Sequence, residues 1–355
     1  MHKSVCNLLL CSTFLFVLTS CGEPSGSQPR DKTYHHSIFS FGTIIDISIY
    51  GTDEATAEMA FDQLEADFNY MHATYHPMLR SALKRNNVLL ATEEWFTDAP
   101  SIRPLLTQSV RLAKASDNLF NPAIGKLIRL WKINESENKT GVPPDDAEIK
   151  KLVKSNPVMS DIDIDGIRIK SRNPDVELNF GGFAKGYGIK QEIEMLKELG
   201  IKNAIINAGG DLHAIGSHGN RPWRIGIRHP RKENEVLAYI DAMDDESVFT
   251  SGDYERYFMY KGKRYHHILD PRTGYPASGA QSVTVIHRDP AIADAAATAL
   301  FVAGPGDWQR IAKSMGVSHV LLIDGHGVIH MTPDMSSRVH FKDKPGNIII
   351  SKPQQ

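Results

Sequence analysis

Val176-Glu177-Leu178-Asn179-Phe180-Gly181-Gly182-Phe183-Ala184-Lys185-Gly186-Tyr187 decides between two fold classes. Apolar residues alternate from Val176 to Phe180, which predicts a strand, and Tyr187 to Leu199 carries helical spacing. A strand, a glycine-rich turn and a helix would begin a doubly wound sheet if the unit repeated. It does not repeat. Asn203 to Asn207 is the next predicted strand, and more strands follow without helices between them. They are Trp223 to Arg228, Val236 to Ala242, Tyr254 to Tyr260, Arg264 to Leu269 and Ser282 to His287. Two helices come next, Ala291 to Val302 and Asp307 to Met315, and a hairpin around Asp324-Gly325-His326-Gly327 closes the body. Strands and helices mixed without regular alternation place the chain in the α+β class.

Upstream, Ser37 to Tyr50 alternates as a strand does, and Ala55 to Met71 is spaced as a helix. Pro104 stands near the start of a second helix, where its missing N–H costs little, running to Ala115. Asn134 to Asp146 reads as a surface loop before a short charged helix, and Asp165-Gly166 centres a hairpin from Ile162 to Ile169. Hydrophobic residues make up 41% of the 355, enough for a sizeable core and against a disordered or fibrous chain. Forty Lys plus Arg against 42 Asp plus Glu give no basic excess of the kind a nucleic-acid binder shows.

All three cysteines, Cys6, Cys11 and Cys21, lie at the N-terminus, so no cysteine zinc site or disulfide framework exists beyond them. His2 and Lys3 precede an apolar run from Val5 to Leu18, the form of a signal peptide. The run ends in Leu18-Thr19-Ser20-Cys21, which is similar to a bacterial lipobox whose cysteine is lipidated and becomes the new N-terminus. Ordinary cleavage near Ser20 is the alternative. The expected organisation is a leader over 1–20, a tether over 21–36 and one body over 37–345. A lipid on Cys21 would hold the protein to a membrane of the cell envelope, facing the periplasm.

Four segments carry chemistry. Gly181 to Gly186 lets backbone N–H groups approach a phosphate at a helix N-terminus, or makes a tight structural turn. Its spacing fits neither a Walker A loop nor a dinucleotide fingerprint. Asn207-Ala208-Gly209-Gly210-Asp211 again pairs glycines after a strand, and a turn capped by aspartate explains it equally well. Asp294 and Thr298 are four apart in an alanine-rich helix and share a face, offering two hard oxygen ligands suited to Mg²⁺. An N-cap or surface role for Asp294 is the competing reading. His266-His267-Ile268-Leu269-Asp270 supplies a candidate general base with a carboxylate to orient it. Adjacent strand residues face opposite ways, so one histidine of the pair looks into a pocket.

Taken together these segments resemble the ApbE family of FAD:protein FMN transferases. The resemblance rests on Phe41-Gly42-Thr43, the Gly181 to Tyr187 and Asn207 to Asp211 segments, and Thr250-Ser251-Gly252-Asp253-Tyr254-Glu255-Arg256-Tyr257. It also rests on His267-Ile268-Leu269-Asp270-Pro271-Arg272-Thr273-Gly274 and on Asp294 to Thr298, and it covers residues 38–340. It implies an α+β fold of two intertwined related halves with FAD between them. It implies Mg²⁺-dependent transfer of FMN from FAD to a Thr or Ser hydroxyl of another protein, such as a subunit of a respiratory complex, with release of AMP. By motif, Asp294, Thr298 and the Gly182 carbonyl would bind Mg²⁺, and His267 with Asp270 would act in catalysis. Phe41, Thr74, Tyr75, Asn118, Lys185 and Ile268 fall in segments lining the family's FAD site.

Three positions depart from the family pattern: Phe41 for methionine, and Asn121 and Lys190 each for aspartate. Two other functions share these residues, an FAD pyrophosphatase that uses water and a lipid-anchored flavin-binding protein without catalysis. Asp270 to Gly274 fits the first part of the family's acceptor motif, but Tyr275 and Pro276 depart from it, so Thr273 reads as part of a turn.

Overall fold

The computed structural model describes residues 32–133 and 141–353. The leader and residues 21–31 of the tether, Cys21 among them, lie outside the described residues. The chain enters through a hairpin, β1 (Thr33–Ser40) and β2 (Thr43–Tyr50), and continues into the long helix α1 (Glu54–Tyr75). Then come α2 (Ala82–Leu90), β3 (Phe96–Thr97), α3 (Arg103–Ala115), α4 (Gly125–Trp131), α5 (Asp146–Ser155) and the hairpin β4 (Ile162–Asp165) and β5 (Arg168–Ser171). After α6 (Ala184–Glu198) the strands β6 (Ala204–Ala208), β7 (Asp211–Ile215), β8 (Arg224–Arg228) and β9 (Val236–Asp241) follow. The run goes on with β10 (Glu246–Gly252), β11 (Tyr257–Tyr260), β12 (Lys263–His266) and β13 (Ala280–His287). The last elements are α7 (Pro290–Ser314), β14 (His319–Asp324), β15 (Ile329–Met331), α8 (Pro333–Ser336), β16 (Val339–Phe341) and β17 (Ile348–Ile350).

Nine strands form one sheet in the order β1-β2-β6-β7-β10-β13-β14-β15-β17, antiparallel throughout except for the parallel pair β15–β17. Helices α1, α6 and α7 cover one face, burying Phe68, Ile189, Ile193 and Phe301 against Ile45, Ile47, Val283 and Val285. The small sheet β16-β9-β8 covers part of the other face through Trp223, Ile225, Ile240 and Leu321. Central strands are therefore covered on both sides, and β7 is buried at every position. This is the expected α+β class. Among the described residues no helix is long and apolar enough to cross a membrane.

Several expectations need correction. Val176 to Phe180 is extended but joins no sheet, apart from an isolated bridge between Ile124 and Glu177. Its backbone is satisfied elsewhere: the Asn87 side chain accepts from Leu178 N at 2.7 Å and donates to Leu178 O at 2.9 Å. Asn179 N donates to Pro122 O at 2.8 Å. The Ser37 to Tyr50 alternation is two strands, broken where Phe41 and Gly42 both take positive φ, 52° and 72°. That is the two-residue turn whose twist matches a hairpin. Strand β10 was not anticipated, while β11 starts only at Tyr257 and β12 ends at His266. The last two predicted helices are present as two, meeting inside α7 at the non-helical Gly304 (φ 65°, ψ −176°) beside Pro305. The body also exceeds the expected 37–345, since β1 begins at Thr33 and β17 ends at Ile350.

Candidate active site

A cavity of about 370 Å³ opens where the β1–β2 turn, the glycine-rich turn before α6, the ends of β7 and β10, and one face of α7 converge. Its lining comes from both halves of the chain, Phe41 to Lys185 on one side and Ala208 to Thr298 on the other. A size of this order suits a small-molecule site.

Helix α6 begins at Ala184, inside the glycine-rich turn and three residues before the predicted start. Its early amide at Gly186 has no intrahelical acceptor and donates to Asp294 Oδ2 at 2.9 Å. Asp294 is buried on α7, which lifts its carboxyl above the usual range; Lys185 opposes that rise and Asp211 adds to it. Thr298 lies one turn further along the same face, its Oγ1 3.4 Å from Ser251 Oγ. A Cβ on Gly182 would stand 3.6 Å from Thr298 Oγ1, so the glycine-rich turn packs directly on that hydroxyl. Gly182, Asp294 and Thr298 all line the cavity. A carbonyl, a carboxylate and a hydroxyl form an all-oxygen donor set of the type that holds Mg²⁺ with waters or phosphate oxygens completing it. Among the described residues no cluster of three or more His, Cys, Asp or Glu could hold a metal ion.

Lys185 pairs with Asp211, whose Oδ1 also accepts from Thr250 N at 3.0 Å. Burial pulls the Lys185 ammonium down, but Asp211 and Asp294 outweigh it and raise its pKa. The charge therefore stays on. Asp211 was legible only as a turn cap, and its part in the site comes from the pairing of β7 with β10.

His267 follows the last residue of β12 and lines the cavity, while His266 turns away, buried, with Nε2 2.9 Å from Ala277 O. One histidine of the pair faces the pocket, as alternation requires. The backbone N of His267 donates to Arg256 O at 3.1 Å, and His267 Nδ1 lies 3.3 Å from the same oxygen. A carbonyl only accepts, so this contact assigns the proton of the neutral ring to Nδ1 and the lone pair to Nε2. Burial first, then the charge of Arg256, holds the imidazole well below its ordinary pKa. The ring is neutral at pH 7.

Of the expected flavin-site residues, Phe41, Lys185 and Ile268 line the cavity. Phe41 packs edge-on against Phe68 and His72, with ring centroids 6.3 and 6.1 Å apart. Thr74, Tyr75 and Asn118 are not brought to the cavity. Thr74 and Tyr75 are buried in the last turn of α1, with Tyr75 edge-on to Tyr187, and Asn118 N donates back to Ala113 O at 2.7 Å to close α3. Asp270 is corrected too. Its carboxylate accepts from Arg272 N, Nε and Nη2 at 2.9, 2.9 and 2.8 Å, so it braces its own turn rather than His267. The Arg256 carbonyl orients the imidazole instead. Asn121 is buried at the cavity edge, bonded to Pro157 O and Ala123 N, and Lys190 pairs with Asp289, the N-cap of α7.

Comparison with known proteins places this geometry. The ApbE family profile matches residues 41–321. A FAD:protein FMN transferase of Rhodobacter capsulatus is 39% identical over 85% of this chain, which spans 58% of that relative's length. One from Klebsiella pneumoniae is 32% identical over 77% of this chain and 84% of its own. The crystal structure of the ApbE protein of Thermotoga maritima superposes with a TM-score of 0.79 at 30% identity, covering 88% of this chain and all of that one. A family match running from the β1–β2 turn through the helix that carries Asp294 and Thr298 means that this chain belongs to the ApbE family.

Proposed function

We propose that the chain is an FAD:protein FMN transferase that uses Mg²⁺ and moves FMN from FAD to a Thr or Ser hydroxyl of an acceptor protein. Flavin transfer is the activity after which its curated relatives are named. The observation that carries the reading is His267 Nε2, free of protein partners among the described residues, in one cavity with the oxygen set of Gly182, Asp294 and Thr298. Mg²⁺ held by that set would offset charge on the FAD pyrophosphate.

The protein's own residues account for the rest. His267 takes the proton of the acceptor hydroxyl on Nε2 as that oxygen bonds to the FMN phosphorus. The phosphorus–oxygen bond to the AMP phosphate breaks, and AMP leaves. Lys185, fixed by Asp211, keeps a positive charge beside the phosphates. Phe41 and Ile268 offer apolar surface to a ring of the substrate.

Cys21 and its lipobox support a lipid anchor on a periplasm-facing membrane, with flavin-accepting subunits of membrane redox complexes as partners. Membrane fractionation of C21A tests the anchor. Incubation with FAD, Mg²⁺ and an accepting subunit should give a covalently fluorescent acceptor band, absent with EDTA or D294A. AMP release at full rate without acceptor would instead establish a hydrolase.

A further inference from the structure

Two cations line the cavity among the described residues, Lys185 and Arg256, and they are not in the same state. Lys185 is ion-paired with Asp211. The Arg256 guanidinium makes no hydrogen bond or ion pair with any described residue. Neighbouring arginines are all engaged: Arg228 with Glu255, Arg231 and Arg264 with Asp253, Arg272 with Asp270. Arg256 is exposed at the cavity, so its guanidinium is hydrated and free to meet an anion that enters.

The backbone of Arg256 is as constrained as its side chain is free. Tyr257 pairs with His266 in the β11–β12 ladder, so Arg256 and His267 face each other one step beyond the last rung. Two contacts to the Arg256 carbonyl fix the imidazole there. The guanidinium is close enough to act electrostatically on His267 and Lys185, and to feel Asp211 and Asp294. It therefore sits among the groups that surround the reacting phosphates.

The geometry points to Arg256 as a binding residue for the FAD pyrophosphate: its side chain holds the phosphates while its main chain holds the base that takes the acceptor's proton beside them. This deepens the transferase reading and rests on it. A guanidinium presents paired donors that match two phosphate oxygens, which an ammonium does not. One residue then sets the distance between the base and the phosphorus.

The test is FAD affinity, read by flavin fluorescence at low and high NaCl for the wild type, R256Q and R256K. R256Q should bind FAD about 10- to 100-fold more weakly at low salt. Its affinity should vary less with salt, because one screened ionic contact is gone. R256K should fall between. R256Q affinity within twofold of the wild type, or weaker binding with unchanged salt dependence, overturns the assignment. A wild type that binds no FAD overturns the transferase reading, and this assignment with it.

Discussion

The Gly186 amide donates to Asp294 Oδ2 at 2.9 Å, tying the first turn of α6 to the helix that carries the oxygen set. The approach is close because residue 186 lacks a side chain. A Cβ there would stand 2.3 Å from Pro290 O and 2.8 Å from Asp294 Cβ.

Gly186→Ala should therefore force α6 and α7 apart, since one clashing atom is main chain. Overpacking of this kind costs about 1–3 kcal/mol. Displacing the oxygen set should lower FMN transfer by about 10²-fold. Thermal melting and acceptor labelling measure the two effects. An alanine variant with wild-type labelling would show that the two helix starts tolerate separation.

His267→Ala should lower transfer by about 10² to 10⁴. The pH profile is the sharper test. Burial and Arg256 hold the imidazole well below its ordinary value near 6.5, so its unprotonated form prevails through neutral pH. The rate should rise with pH along an acid limb centred below 6.5 and be flat above it. Removing the neighbouring charge in R256Q should move that limb to higher pH. A wild-type limb centred above pH 7 would contradict the assignment.

The fold class was legible because runs of strands without helices between them survive errors at element ends. Val176 to Phe180 misled because its alternation is real while its partners are the Asn87 side chain and loop carbonyls, which no local pattern encodes. The shared face of Asp294 and Thr298 was legible from spacing, since both lie on one helix. Asp211 and Arg256 were not, because they reach the cavity through pairing of β7 with β10 and β11 with β12. Asp270 looked like the partner of His267 only along the chain. In space it is held by Arg272.

Thr273 should carry no FMN after incubation with FAD and Mg²⁺. Thr273 N and Gly274 N both donate to Asp270 O, and Thr273 Oγ1 accepts from Tyr275 N at 3.3 Å. Trp131 Nε1 fixes the next residue through Gly274 O at 2.8 Å. The hydroxyl is thus part of a pinned turn and lies outside the cavity lining. Intact-mass analysis showing an FMN adduct that disappears in Thr273→Ala would refute this.

Glu192 should make stability fall as pH rises. It is buried on α6, its Oε2 has no partner, and burial followed by the charge of Asp67 pushes its carboxyl up to about 8. Unfolded, the same group titrates near 4.3. Between those values the folded protein holds a proton that the unfolded chain has released, so rising pH favours unfolding. This contribution is full at the acid end and gone above about pH 8. Glu192→Gln keeps the size and removes the titration. Melting temperatures from pH 5 to 8.5 should therefore show the variant gaining on the wild type as pH rises. Parallel curves would mean that the carboxyl finds a partner or water in solution and is not held protonated.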